Sequence, residues 1–400
     1  MTLSLLSLTA LLSVPPPAVA NDLPPGRQPT LMRTRAVTPV HTLARSASRT
    51  TARVNADAVL RVTLEGRGKG CRGPWMKREG GGFVCSDRLV TTDEAVPRPA
   101  PVDLPDLLEG IVGYRVLRGG SLLYEKLEHI DRRKPHILLT KGAVLAVRRT
   151  IDRYGATYHE TREGWYARAE RTEQLAPALG SLAVVAGDRD PWGVVVGERA
   201  AVRDVPAEDA VIGRPLARWS ALPTEAIGAE AAADGWFGLR AGGFIRDADI
   251  ARVRPAPAPA GLGPDERWIA VDLAEQLFHT YEGTRLLRVI PCSTGASGNT
   301  RPGGYRVQWK RRVQTMRPRA GHQRVEDVQW VLYYDRRRSI AIHAAYWHHD
   351  FGRPVSHGCV NLPPPDARWV YEWASPRSLP EDSQNLAGRS DPGTRVIVFE

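Results

Sequence analysis

Four of the ten histidines and one of the four cysteines fall between positions 343 and 359. The run Ile342-His343-Ala344-Ala345-Tyr346-Trp347-His348-His349-Asp350 is followed closely by Pro354-Val355-Ser356-His357-Gly358-Cys359-Val360-Asn361-Leu362. A thiol is a weak nucleophile until it ionises, and a free cysteine near pH 7 needs a neighbouring base to do so. Histidine is the side chain suited to that task. His343 ends a β-like apolar run, whereas Cys359 follows Gly358, whose lack of a Cβ lets consecutive backbone N–H groups face a developing oxyanion. The pattern points to a cysteine nucleophile at Cys359 worked by a histidine, and the intervening loop could fold back to bring His343 to the thiol.

The same segment offers metal-ligand types in His343, His348, His349, Asp350, His357 and Cys359. Closed zinc spacings of the Cys-x2-Cys or His-Glu-x2-His kind are absent, so the nucleophile reading is preferred and neither a metal nor a cofactor is expected. Cys71 and Cys85 lie close together upstream and are candidates for a disulfide in an oxidising compartment. Such a bridge would close a loop of about 15 residues and contribute about 3 kcal/mol in the chain-entropy description. Cys292, at the end of a β-like run, is expected to be a small buried free thiol, because a bridge from it to Cys359 would block catalysis.

The elements that must position these groups are mainly β. Short apolar runs at 268–273, 276–281, 286–291, 303–307, 328–334, 339–342 and 395–399 predict a sheet or sandwich, and residues 364–374 carry helical spacing through Ala367, Val370, Tyr371 and Ala374. Upstream, Trp75 is followed eight residues later by Phe83, and Trp236 eight residues later by Phe244, each pair spanning a Gly-Gly turn. Trp165 after Gly164 is a partial echo. These are hairpin signatures. Proline-rich stretches at 97–105 and 255–264 have linker composition. The expected organisation is a leader over 1–20, a flexible arm over 21–50, a small β module over 51–96, a β-rich middle module over 106–186, a second small β module over 187–254, a Pro/Ala linker over 255–266 and a catalytic domain over 267–400.

The hexapeptide Ser356-His357-Gly358-Cys359-Val360-Asn361, with His343 upstream, resembles the signature of the L,D-transpeptidase catalytic domain of the YkuD type. Val271-Asp272-Leu273, Ser293-Thr294-Gly295, Arg301-Pro302-Gly303-Gly304 and Tyr346-Trp347-His348 add to the likeness, which covers about a third of the chain. The resemblance implies a C-terminal YkuD-like β-sandwich, and the Trp/Gly modules before it look like the small SH3-like barrels that accompany cell-wall enzymes. It further implies attack by Cys359 on a peptidoglycan stem tetrapeptide, with His343 as base oriented by a backbone carbonyl, for which Ala344 is the position to inspect. Ser356, His357, Gly358, Asn361 and Tyr346 are then supporting, oxyanion or substrate-side residues, and Asp350 stays open as a conventional third triad member. The acceptor is a stem amine, an envelope protein's amine or water; a non-catalytic wall-binding protein is the remaining alternative.

Bulk properties narrow the setting. The chain has 400 residues, enough for roughly two to four domains. Mean hydropathy is -0.32, and no run approaches the length needed to span a bilayer. The apolar stretch from Leu3 to Leu12 followed by Ala18-Val19-Ala20 reads as an export leader, although no Lys or Arg precedes it. The expected location is therefore the periplasm or cell wall. A net charge of +11 is spread along the chain in short clusters, so nucleic acid is not the expected partner.

Overall fold

The computed structural model describes residues 29–93, 112–186, 191–210, 212–224, 227–233, 235–316 and 323–400. The expected leader and the proline-rich stretch 97–105 lie outside these residues.

The C-terminal unit is a two-sheet sandwich closed by one helix. We number its strands β1 (Arg267–Asp272), β2 (Leu277–Glu282), β3 (Arg285–Pro291), β4 (Gly303–Arg306), β5 (Trp309–Met316), β6 (Val325–Asp335), β7 (Ile340–Ala344), β8 (Val360–Leu362), β9 (Asp382–Leu386) and β10 (Arg395–Phe399), with helix α1 over Pro364–Trp373. One sheet runs β3-β2-β1-β10-β4, extended beyond β3 by the short strand Val184–Val185. The other pairs β9 with β5, β5 with β6, β6 with β7, and β7 in parallel with β8.

Strand alternation decides which side chains meet. Ile269, Val271, Phe278 and Ile290 from the first sheet and Leu332, Ile342, Val360 and Leu362 from the second interdigitate, and Ala367, Val370 and Tyr371 of α1 complete the core. Burying each large aliphatic chain here is worth about 1.5–3 kcal/mol. The same alternation turns Ala341, Val331 and Tyr333 onto the outer face of the second sheet, where they cluster with Cys359 and Trp347.

Three strands of the sandwich escape the sequence reading, the short Val360–Leu362 and two longer ones. Trp309–Met316 carries three basic residues, which hides its alternation; Lys310 is nonetheless fully buried, because its Nζ donates to the carbonyls of Ala374 (2.8 Å) and Pro376 (2.9 Å) beyond the end of α1 and of Tyr371 in its last turn. Asp382–Leu386 is polar, yet Asp382 and Asn385 are buried and bonded to one another at 2.7 Å.

Three strand clusters precede the sandwich, each with its own apolar core. Residues 30–41, expected within a flexible arm, instead form two strands, Thr30–Thr34 and Thr38–His41, of the first cluster. Val40 and Met32 pack there with Leu60, Val62 and Val84, which gives the segment the apolar anchorage that its Thr- and Arg-rich composition conceals. Cys71 and Cys85 of this unit are joined in a disulfide.

A single motif recurs in all three clusters: a hairpin, a 3-10 turn and a final three-residue strand. The turns are Ser86–Arg88, Ala169–Arg171 and Asp247–Asp249. In the first and third units Trp75 pairs with Cys85 and Trp236 with Arg246. In the middle unit Tyr158, paired with Arg168, holds the equivalent register, so Tyr158 and not Trp165 occupies the tryptophan position of the repeat.

Each cluster touches the sandwich. The strand Thr50–Val54 pairs with β9, Val144 of the middle unit pairs with Val325 of β6, and Val194 and Ala251 of the third unit pack on Leu277 and Val289. The Pro/Ala segment is pinned at both ends, by Arg254 against Asp272 (2.7 Å) and by Arg395 reaching the carbonyl of Ala260 (2.7 Å).

Candidate active site

Parallel pairing of β7 with β8 sets Ile342 beside Val360 and His343 beside Asn361. Because Val360 and Leu362 enter the core, Cys359 and Asn361 project on the opposite face, with His343. Cys359 therefore lies two residues along from Asn361, the partner of His343. Diagonal neighbours in a sheet are about 7–8 Å apart at Cα, a gap that a cysteine and an imidazole can span.

His343 is 4% exposed. Its Nδ1 lies 2.9 Å from the carbonyl oxygen of Ala344. A carbonyl only accepts, so Nδ1 carries the proton and Nε2 is left with the lone pair of a base. Burial pushes the imidazole down to about 4, against a smaller upward pull from the Ala344 carbonyl. Burial likewise pushes the partly exposed Cys359 thiol up to about 11, opposed by the N–H of Ala341. Cys359 Sγ rests 3.9 Å from the carbonyl oxygen of Ser339. The resting pair is thus a neutral thiol and a neutral imidazole rather than a preformed ion pair.

The loop carrying the thiol is knotted by its own side chains. Ser356 Oγ donates to the carbonyl of Cys359 at 2.5 Å and accepts from Gly358 N–H at 3.0 Å. In this state Gly358 N–H is therefore spent within the loop. Thr300 Oγ1 donates to the Gly358 carbonyl at 2.8 Å and accepts from Gly295 N–H at 2.8 Å. Gly358 has φ +134°, and a Cβ there would sit 2.7 Å from Ile340 Cδ1. Only glycine fits both demands.

Asn361 braces the floor. Its backbone exchanges hydrogen bonds with Ser293, and its side-chain amide lies 2.9 Å from His348 Nε2. His348 Nδ1 accepts from Asp350 N–H at 3.2 Å, and burial pushes this imidazole also down to about 4. A neutral ring that accepts at Nδ1 must donate at Nε2, so the Asn361 amide presents its oxygen to His348.

The remaining candidates separate. Tyr346 is buried and donates to the carbonyl of Glu326 at 2.7 Å, with its ring against Gly113 of the middle unit, so it braces two units together. His357 is exposed on the loop. Asp350 is exposed and offers His348 only its backbone N–H. The six residues weighed as metal ligands are not gathered: His349 Nε2 turns instead to the carbonyl of Pro177, 2.9 Å away. Among the described residues the one tight cluster of metal-ligand types is Cys71, Cys85 and Asp87, where the two sulfurs are bonded to each other.

Sequence reasoning missed Thr300 and Tyr333. Tyr333 packs beside Cys359, stacked on Trp309 at 5.2 Å. Aromatic residues on an outward-facing strand position were the available signal for Tyr333. Thr300, in an irregular loop, gave none.

No curated protein sequence matches the chain. Among solved structures it is similar to L,D-transpeptidase 3 of Mycobacterium tuberculosis, with 22% identity over 34% of this chain and 62% of that one, at a TM-score of 0.28. An L,D-transpeptidase from Mycobacterium smegmatis is 17% identical over 57% of this chain and 89% of that one, at 0.28. One from Xylanimonas cellulosilytica is 21% identical over 40% and 74%, at 0.27. The chain thus spans less than two thirds of the length of the first of these. Residues 266–398, the sandwich that carries Cys359 and His343, match the YkuD family, the L,D-transpeptidase catalytic domain.

Proposed function

We propose that this chain is a cysteine-dependent L,D-transpeptidase acting on peptidoglycan stem peptides in the periplasm or cell wall. The observation that carries the reading is the placement of Cys359 and His343 on one face of two parallel strands, with His343 Nδ1 committed to the Ala344 carbonyl.

In the first step Cys359 Sγ attacks the amide carbonyl that joins the L-centre of diaminopimelate to the terminal D-residue of a tetrapeptide. His343 Nε2 takes the thiol proton as the C–S bond forms and passes it to the leaving amine as the C–N bond breaks. With both groups neutral at rest, proton transfer and attack proceed together once substrate is bound. The backbone N–H of Cys359 is the loop donor for the developing oxyanion in this reading, since Gly358 N–H is taken by Ser356 Oγ. In the second step an acceptor amine attacks the thioester, gives its proton to His343 and regenerates the thiol. A stem amine yields a 3→3 cross-link, and an envelope protein's amine yields attachment of that protein.

A second reading, L,D-carboxypeptidase activity with water as acceptor, uses the same first step and differs only in how far water is kept from the thioester. The first and third upstream clusters are read as SH3-like modules. Export is supported by the leader pattern at 1–20; among the described residues no helix is long and apolar enough to cross a membrane.

Mass spectrometry of muropeptides after incubation with tetrapeptide-rich sacculi tests the proposal. New 3→3 dimers support transfer, and tripeptides without dimers support hydrolysis. Turnover retained by Cys359→Ala would overturn the mechanism.

A further inference from the structure

On the same sheet face as the thiol, a cavity of about 580 Å³ opens between the Arg162–Glu163 turn of the middle unit and the β5–β6 hairpin. Its carboxylates are already paired. Arg162 reaches Asp327 at 2.9 Å, and Arg324 reaches Glu163 at 2.6 Å and Glu326 at 3.0 Å. Arg311 differs. Among the described residues no carboxylate lies within ion-pair distance of it, and its buried Nε has no acceptor. Its guanidinium lies 5.1 Å from the ring of Trp309. Close by along β5, the Gln314 side chain is bonded to Tyr333, and its buried Oε1 has no donor among the described residues.

Buried polar atoms in folded proteins are almost always bonded, so a donor and an acceptor left unsatisfied in one cavity ask for a ligand offering both complements. An arginine fork is matched by a carboxylate, and an amide oxygen by an N–H group. The line from Arg311 through Trp309 and Tyr333 ends at Cys359, since Trp309 stacks on Tyr333 and Tyr333 packs in one cluster with the thiol. We propose that this cleft is a substrate subsite for a peptide carboxylate with an adjacent N–H group, the carboxylate held by Arg311 and the N–H by Gln314. The middle unit thereby forms one wall of the substrate cleft. The inference rests on the peptidoglycan reading for the identity of that peptide, whose stem carries both groups.

The test uses the full chain carrying Cys359→Ala, which cannot form a thioester, titrated calorimetrically with a synthetic stem tetrapeptide ending in diaminopimelate and D-alanine. Amidating the peptide's carboxylates leaves the protein untouched and should weaken binding at least tenfold. Arg311→Met should weaken it to the same degree and abolish the difference between free and amidated peptide, while Arg311→Lys, which keeps the charge without the fork, falls between. Gln314→Leu should cost severalfold. Equal binding of free and amidated peptide, or Arg311→Met binding like its parent, would overturn the subsite. The intact chain then tells which stem occupies it: amidating the donor slows thioester formation, and amidating the acceptor slows transfer. Discriminating binding by the Cys359→Ala chain without any thioester in the intact one would sink the transpeptidase reading and leave the subsite standing.

Discussion

His343 and Ala344 are consecutive residues whose side-chain Nδ1 and carbonyl oxygen stand 2.9 Å apart, so the orienting partner of the candidate base is main chain. No side chain can be deleted to test it, and the informative substitutions lie on either side. His343→Gln removes the base and should reduce thioester formation about 10²–10⁴-fold, the usual range for a general acid–base group. Asp350→Asn should stay within about threefold of the parent, because Asp350 is exposed, its hydrogen bond to His348 comes from the backbone N–H, and its charge acts on His348 and not on His343. Intact-mass kinetics with a stem tetrapeptide measure both, and a loss in Asp350→Asn as deep as that in His343→Gln would assign the orienting role to the carboxylate.

The neutral resting pair has a pH signature. With the thiol pushed up to about 11 and His343 down to about 4, alkylation of native Cys359 by iodoacetamide should be slow at pH 7 and rise about tenfold per pH unit through pH 8–10. A thiolate–imidazolium pair would give instead a fast plateau from about pH 5 upward. Cys292 is fully buried, and its thiol is pushed up further still. Native protein should label at one thiol and denatured, unreduced protein at two, since Cys71 and Cys85 are joined.

Acid should destabilise the fold before it unmakes the chemistry. His343, His348 and His279 are all held near 4 by burial, below their unfolded value of 6.5. The unfolded chain then binds more protons than the folded one between pH 6.5 and 4, so stability is complete above pH 6.5 and falls as pH drops through that window. At pH 5 each histidine accounts for about 2 kcal/mol at most. Glu326, pushed up to about 7 by burial, works in the opposite direction over the same window, so urea melts at pH 7.5 and 5.0 are made on Glu326→Gln, where an unchanged midpoint would show that these rings are not held neutral.

The legible part of the molecule was local. Ser356 to Asn361 and His343 stood out because nucleophile chemistry needs those residue types close together in the chain, and the core strands of the sandwich alternate openly. What stayed hidden depends on distant partners. Lys310 reads as a surface charge until the carbonyls beyond α1 surround its Nζ, and Thr38–His41 reads as part of an arm until Val40 meets Leu60 and Val84. Tyr346 reads equally as a supporting or a substrate-side residue until its hydroxyl is seen to be taken by the Glu326 carbonyl, a contact no spacing within 343–361 could disclose.

Gly358→Ala isolates the backbone geometry of the nucleophile loop. At φ +134° a β-carbon is strained whatever the space, and here it would meet Ile340 Cδ1 at 2.7 Å and the Asn299 carbonyl at 3.3 Å. We expect a loss of at least about 2 kcal/mol in stability and of thioester formation beyond detection, because the shift is passed directly to Cys359. Ser356→Ala removes the donor to the Cys359 carbonyl and the acceptor for Gly358 N–H but keeps the backbone angles, and should be milder on both counts. The reverse order of severity would mean that the side-chain knot, and not the glycine angle, shapes the loop.

The docking of the first upstream unit rests on a buried ion pair that can be taken apart by a cycle. Arg78 Nη1 donates to Asp382 Oδ1 at 2.5 Å, and Asp382 also accepts from Asn385 at 2.7 Å and from the Leu379 N–H at 3.1 Å. Both charged side chains are almost wholly buried between the unit and β9. Removing one partner strands the other without water, so Asp382→Ala should cost about 3–5 kcal/mol in thermal or denaturant unfolding. Replacing both, with Arg78→Met and Asp382→Leu in a Glu381→Gln background that neutralises the second carboxylate 3.6 Å from Arg78, leaves no orphaned charge and should recover most of that loss, giving a coupling energy well above the scatter of the single variants. Additive losses would show that the pair is decorative and that the strand pairing of Ala52 with Asn385 and Arg53 with Gln384 holds the unit on its own.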